Sequence, residues 1–382
     1  MPTNVDVLLC GAWDEGPGYP RTRSLRQGLA AFGACVRDCR AAGLGRGKQR
    51  LLRAPWRWPG HWLAQRRQRE ELLAGLATAI DERRPDVIVV PYPGHAVVRA
   101  IRRATDVPIV LDLFLSAYDT VVEDRAWVRP GSLGALWLQH LDAAACRAAD
   151  LVLLDTPENA AYVQDLTGVA AERFAWLPVH DPDAPAQPLR VRAPHGGTIE
   201  LLFFGTGVPL HGLATLIAAV AHVPAVRLTL VGGRAGDRAM AQARLGDRLR
   251  LEPPFVARDR LGALLAECHL VAGVFGASGK TQRVVPFKVV HALASGRPVV
   301  TADSPAVARW LEGSGAVFPV AANDVGALVA ALRKLAASPE LVAAATTRAR
   351  SAYERHFGTA RQVERWRELL SRLVGEPLSG VA

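Results

Sequence analysis

At 382 residues, half of them hydrophobic and with 34 Gly and 26 Pro, the chain has room for two ordinary globular domains and is neither disordered nor fibrous. Its apolar runs fall short of the roughly 20 residues a transmembrane helix needs, and the opening MPTNVDVLLCGAW has no basic region ahead of a signal-peptide core. The net charge of +10 raises nucleic acid and anionic membranes as partners, but no RNA- or DNA-binding motif accompanies it, so nucleic acid is set aside and a cytoplasmic setting is expected.

The first predicted strand, Val5 to Cys10, runs into a Gly/Pro loop and then a helix from about Arg23. Ligands of open α/β sheets gather at the C-terminal ends of strands. Gly16, Gly18, Tyr19, Arg21 and Arg23 are therefore site candidates by position. Cys35 and Cys39, four apart, are expected on a helix; no second pair with zinc spacing follows, so the five cysteines read as buried free thiols. From Arg37 to Arg69 the chain carries Arg37, Arg40, Arg46, Lys48, Arg50, Arg53, Arg57, Arg66, Arg67 and Arg69, with Trp56, Trp58 and Trp62 interleaved and Asp38 the one acid. Such a segment fits an anionic membrane surface; an Arg-rich solvated surface from a GC-rich genome fits it as well.

A helix to Glu82 precedes a buried strand over Asp86–Gly94 with His95 at its end. A short basic helix leads to a third strand, VPIVLDLFLSAYDT, with Asp112 and Asp119 at or just past its C-terminal end. Asp112 and His95 are candidates for acceptor positioning or proton transfer; each also reads as a structural group. Trp137–Ala149 is expected to be helical, a strand follows to Thr156, and Pro157 opens another helix. Asp181 to Gly197, dense in Pro and Gly, reads as an interdomain linker. Its Asp181-Pro182-Asp183 matches the metal-binding D-x-D only formally, and no metal is expected.

The βα alternation then restarts: strand Ile199–Phe204, the loop GTGVPLHG, helix Leu213–Ala221, strand Val226–Gly233 and helix Arg258–Cys268. The most informative stretch is Gly273 to Thr301, GVFGASGKTQRVVPFKVVHALASGRPVVT. A strand, a polar loop, a helix expected over Val285–Ser295 and a return strand make a βαβ unit, and a loop at a helix start is a natural anion site. Lys280, Arg283 and Lys288 place three cations there. GASGKT imitates the end of a P-loop, but the required first Gly falls on Val274, which argues against an ATPase. The tail Val342–Val374 is expected to be helical throughout.

LLFFGTGVPLHGLATLIAAV, LTLVGGRAG, LEPPFV-x-R-D-x-L and QRVVPFKVVHALASGRPVVT together resemble the retaining GT-B glycosyltransferases of family 4, over roughly Ile199 to Phe357. The N-terminal half resembles one branch more loosely through YPR-x-R, YPGH and DLF-x-S-x-YDT-x-x-E-D-R. The resemblance implies an α/β, GT-B fold: two Rossmann-like domains with mostly parallel sheets facing across a cleft, and a long C-terminal helix. Expected boundaries are an acceptor-side domain over 1–185, a linker over 186–198, a donor domain over 199–358, and a helix over 359–382 packing back on the first domain. It further implies sugar transfer from a nucleotide diphosphate sugar, with retention and without metal or resident cofactor. The acceptor would be a saccharide, a lipid-linked compound or a natural product. Carried onto this chain, the donor positions are Gly205, Thr206, Gly207, His211, Lys280, Thr281, Arg283, Pro286, Lys288, Val289 and His291, with Asp112, His95, Lys280 and Arg283 nearest the chemistry.

Departures from the family pattern are specific. Its two donor-block Glu, one on the sugar and one on the ribose, are replaced by Arg283 and His291, and Thr206 and His211 stand where Arg and Lys are expected. A non-catalytic relative that binds a nucleotide or a partner is therefore the competing expectation. An epimerase of the same fold would need a carboxylate pair that Asp112 and Asp119 do not clearly supply.

Overall fold

A computed structural model describes residues 5–13, 15, 16, 20–41, 58–190 and 197–374, with the backbone alone for 58–65. It consists of two units. One takes the described residues up to Thr120, Val128–His180 and those from Gln362 on; the other takes Val121–Trp127 and Asp181–Arg361.

The sheet of the first unit has the order β2-β1-β3-β4-β5-β6 and every pair in it is parallel. Its strands are β1 (Asp6–Gly11), β2 (Cys35–Arg40), β3 (Val87–Val90), β4 (Ile109–Asp112), β5 (Leu151–Leu154) and β6 (Phe174–Trp176). VIVV, IVLD and LVLL are buried at every position, as strands covered on both faces must be. Leu8, Ile88, Val90, Ile109, Leu111, Val152 and Leu154 face one layer, filled by Leu72 and Leu76 of helix Trp58–Glu82, by Ile101, and by Val163. Val7, Leu9, Val87, Val89, Val110 and Leu153 face the other layer, where Leu25 and Leu29 of helix Pro20–Phe32 meet Trp366, Leu369 and Leu370. A Cβ at Gly28 would come within 2.8 Å of Trp366 Nε1, so the last helix lies directly on the first. Gln362 Nε2 donates to Pro178 O at 2.9 Å, and Arg365 stacks on the Trp176 ring at 3.7 Å.

Strands β7 (Ile199–Gly205), β8 (Val226–Gly232), β9 (Leu249–Leu251), β10 (Leu270–Ala272), β11 (Val299–Ala302) and β12 (Val317–Val320) form the second sheet. Its order is β12-β11-β10-β7-β8-β9, again all parallel. Read from β9, this is the doubly wound dinucleotide-fold order, with its switch point between β7 and β10. Leu216, Ile217 and Val220 of helix Leu213–Ala221, and Leu328, Leu332 and Leu335 of helix Val325–Ala337, cover one face.

Several local expectations are corrected. Cys35 and Cys39 lie on β2, not on a helix, because CVRDCR pairs in register with β1, Cys39 opposite Cys10. Cys35 is exposed while the other four thiols are buried and free. The first helix opens at Pro20, whose missing N–H costs nothing at a helix start. The helix expected from Trp137 begins at Leu133, where Ser132 Oγ accepts from Ala135 N. The tail is two helices, Pro339–His356 and Thr359–Val374, divided at Phe357-Gly358. Among the described residues no helix is long and apolar enough to cross a membrane.

Asp181, expected in a linker, belongs to the second unit, as does the stretch after it. Arg350 Nη1 donates to Pro185 O at 2.7 Å, and Arg297, fully buried, donates to Leu189 O and Arg190 O. The arginines give those Pro-rich carbonyls the partners that regular structure would have supplied.

Candidate functional site

In the second unit, the loops that leave β7 and β10 at the switch point are joined by main-chain bonds: Phe275 N donates to His211 O and Gly276 N to Leu210 O, both at 3.1 Å. The approach requires glycine. A Cβ at Gly212, where φ is +57°, would stand 2.5 Å from Gly276 N. At the end of β7, a Cβ on Gly205 would meet His211 Cε1 at 2.6 Å and Lys288 Nζ at 3.1 Å. The imidazole and the ammonium thus converge on one bare stretch of backbone.

Lys288 comes from helix Phe287–Ala294, which starts after Pro286 and not at Val285. The preceding turn, Gly279–Arg283, is a separate short helix, with extended backbone between the two. Lys288 is 6% exposed, and its Nζ stands 3.8 Å from the centre of the Phe203 ring and has no hydrogen-bond partner among the described residues. Burial holds its ammonium well below the usual lysine range. A buried cation with only an aromatic face for company is costly unless an anion completes it.

His211 is held in one tautomer. Its Nδ1 accepts from Gly207 N at 3.1 Å, so a neutral ring carries its proton on Nε2. Burial, with Lys288 and Arg234 nearby, pushes its pKa down to about 2, so the ring is neutral throughout the working pH range. Arg234 follows β8, and its N–H donates to Asp237 Oδ2 at 3.0 Å. Thr206 is exposed.

Lys280 and Thr281 are buried, with Thr281 Oγ1 3.2 Å from Ser278 Oγ. Arg283 is ion-paired with Glu123 at 3.2 Å, and its Nη1 lies 2.9 Å from where a Cβ on Gly279 would sit. Pro286 O accepts the Val289 N–H at 2.8 Å; Val289 itself is core. His291 stacks on Phe287 at 5.8 Å and meets Phe204 edge-on, while its Nδ1 is 2.7 Å from Oδ2 of the buried Asp181. Asp181 is the partner sequence reasoning missed. It lies 110 residues away and looks like part of a Pro-rich linker.

In the first unit the switch point falls between β1 and β3, and the loops there are neighbours, a Cβ on Gly11 falling 3.6 Å from Pro91. Gly18 and Tyr19 lie outside the described residues, as do Arg46, Lys48, Arg50, Arg53, Trp56, Arg57 and the side chains of Trp58 and Trp62; Gly16 is half-buried. Arg21 and Asp112 hold each other. Arg21 Nε and Nη2 donate to the Asp112 carboxylate at 2.7 to 3.1 Å, and Nη1 donates to Leu177 O at 2.7 Å. Both are buried, which leaves Asp112 committed to tying helix Pro20–Phe32 to β4. Arg23 is half-buried one turn into that helix.

His95 Nε2 stands 3.0 Å from Oδ1 of Asp142, a residue the sequence did not single out. Asp142 also accepts from Ser116 Oγ at 2.7 Å and from the N–H groups of Ala117 and Tyr118 at 3.0 Å. Burial would raise its pKa, but His95 and the other donors outweigh that and hold it below the ordinary carboxylate value. Asp119 is buried, and its N–H donates to Ser116 Oγ at 3.0 Å. Among the described residues no cluster of His, Cys, Asp and Glu could hold a metal ion.

Two family models match this chain: the glycosyl transferase 4-like domain over residues 18–180 and the glycosyl transferases group 1 domain over residues 198–338. A comparison with curated proteins gives no match. Among solved structures, sucrose-phosphate synthase from Thermosynechococcus elongatus superposes with a TM-score of 0.70 at 16% identity, covering 98% of this chain and 100% of that one. HepE of Anabaena in complex with UDP-glucose gives 0.64 at 16% identity, covering 97% and 100%. TarM of S. aureus, solved with UDP and alpha-GlcNAc-glycerol, gives 0.56 at 12% identity, covering 78% of this chain and 58% of that one. At these identities the likeness carries the fold.

Proposed function

We propose that this chain, which matches the glycosyl transferase 4-like and group 1 family models over its two parts, is a GT-B glycosyltransferase that moves a hexose from a nucleoside diphosphate sugar to an acceptor hydroxyl with retention of configuration and without a metal ion. One observation carries the reading: the buried ammonium of Lys288, without a hydrogen-bond partner among the described residues, at the switch point of the second sheet. A diphosphate supplies the anion that this ammonium lacks, and its arrival restores the full charge on Lys288. His211 Nε2–H donates to a second phosphate oxygen without adding charge.

As the glycosidic bond to the donor breaks, negative charge grows on the leaving diphosphate. Lys288 is already fixed at the switch point, so it needs little reorganisation at the moment of reaction, and Lys280 and Arg283 of the neighbouring turn are the further cations offered to that charge. Asp181 orients His291, whose other ring nitrogen is offered to a ribose hydroxyl in place of a carboxylate. The departing phosphate takes the proton of the acceptor hydroxyl. No carboxylate of the first unit is required as base, in keeping with Asp112 being occupied by Arg21. Acceptor recognition falls to the first unit, with His95, held against Asp142, its candidate functional group. A saccharide or lipid-linked acceptor in cell-envelope synthesis suits this arrangement, on the cytoplasmic side and in peripheral contact with the membrane.

HepE was solved with UDP-glucose, which makes uridine nucleotides the first to test. Calorimetric titration with UDP, GDP, ADP and dTDP, with and without magnesium, followed by a panel of donor sugars, tests the proposal. Metal-independent binding of one diphosphate together with turnover of its sugar supports it. Binding without turnover under any acceptor favours the second reading, a non-catalytic relative, for which Arg283 and His291 at the family's Glu positions are the specific observation. No binding at all removes both.

A further inference from the structure

Among the described residues, seven large apolar side chains stand exposed, and four of them fall between Trp127 and Trp137. Three share one face of the first two turns of helix Leu133–Arg147, at the spacing i, i+3, i+4: Leu133 is 86% exposed, Leu136 53% and Trp137 62%. The opposite face supplies Ala135, Leu138, Ala143, Ala145 and Cys146 to the interior, so the helix is held firmly while it presents this stripe outward. Its one carboxylate, Asp142, is completely buried and engaged by His95 and Ser116. Arg129, just before the helix, and Arg147 at its end are exposed.

We propose that this stripe is a membrane-docking surface that takes an anionic lipid bilayer, with Leu133, Leu136 and Trp137 entering the interfacial layer and Arg129 facing the lipid phosphates. Two observations select that occupant. The exposed charge nearest the stripe is the cation Arg129, and the helix itself exposes no carboxylate, in a chain of net charge +10, so anionic headgroups are matched and a basic partner is not. Trp and Leu beside Arg on a rigid helix is the composition that lies in the plane of an interface rather than crossing it. The inference is independent of sugar transfer, since it uses neither the donor site nor any step of the reaction.

The test is co-sedimentation of the full chain with vesicles of phosphatidylcholine, alone or containing phosphatidylglycerol. The wild-type chain is expected to partition to the phosphatidylglycerol vesicles. Replacing the stripe (Leu133→Ser, Leu136→Ser and Trp137→Ser together) is expected to lower that partition by at least about tenfold, with the thermal transition and nucleotide binding unchanged. Arg129→Glu is expected to weaken binding to the phosphatidylglycerol vesicles and to leave behaviour with pure phosphatidylcholine as it was. Equal partition of the stripe variant and the wild type overturns the proposal, because attachment would then lie elsewhere, for instance in the Arg37–Arg69 segment. It is also overturned if the wild type ignores both vesicles while sedimentation equilibrium shows self-association that the stripe variant loses, which would assign the stripe to a second copy.

Discussion

The two units of this molecule use buried charge in opposite ways. In the first unit, Arg21 and Asp112 satisfy each other through a forked contact, and Asp142 faces His95 and accepts from Ser116 and two backbone amides. In the second unit, Lys288 reaches the backbone of Gly205 beside the neutral His211 ring and the face of Phe203, with no hydrogen-bond partner among the described residues. A buried charge with its partner built in holds structure together. A buried charge with no partner among the described residues makes room for a ligand. The strand-end location that marks both as candidates does not tell them apart; the partner count does.

The largest expected effect tests the structural side. Asp112→Ala leaves Arg21 charged and unpaired in the interior, and urea unfolding should show a loss of about 3–5 kcal/mol. A loss under about 1 kcal/mol would mean that the pair is not a fastener. On the ligand side, Lys288→Met should weaken nucleoside diphosphate binding by roughly 100-fold, about 2.7 kcal/mol, while leaving thermal stability equal or higher. If this variant unfolds more readily and binds normally, the contrast between the two units is inverted.

Acid sensitivity comes next. Folded His211 refuses a proton until about pH 2, whereas the unfolded chain takes one near the ordinary value of 6.5. The unfolded state therefore binds more protons below 6.5, and stability contributed by the neutral ring falls as pH drops through that window, by up to about 1.4 kcal/mol per pH unit. His211→Asn should flatten the slope of stability against pH, measured by denaturant unfolding at several values above the general acid transition. An unchanged slope would show that His211 is solvated. Smallest of all, Asp181→Asn should cost about tenfold in nucleotide affinity through loss of the orienting bond to His291, close to 1.4 kcal/mol. Unchanged affinity for the diphosphate and for the whole nucleotide alike would remove His291 from the ribose.

Much of this was readable from sequence. Apolar runs such as VIVV and LVLL announce central parallel strands, and the restart of the alternation at Ile199 announces the second sheet. The convergence of Lys288 and His211 on Gly205 was readable in its parts, since the loops and cations sit where an anion site would place them. The pairings were not. Nothing local links Arg21 to Asp112 across 91 positions, or Asp181 to His291 across 110. Asp181 was hidden by its neighbours, because Pro and Gly density signals a loop without saying that an arginine has fastened it. Cys35 and Cys39 misled through spacing: four apart suits one helix face, but on an edge strand alternate residues also share a face. The exposed stripe at Leu133 was invisible for the reverse reason, since an apolar i, i+3, i+4 pattern normally predicts burial.

The return of the last helix has a consequence for the order in which the chain can be completed during synthesis. Trp366, Leu369 and Leu370 fill the layer that also contains Leu25 and Leu29, so the first sheet to emerge from the ribosome lacks one wall of its core until the final helix has been made. The unit centred on Asp181–Arg361 has a core of its own and takes only the first residues of that helix, so it is available to fold earlier. Translation that stops short of Gln362 would leave a finished second unit joined to a first unit with an uncovered apolar face, a substrate for chaperones and proteases.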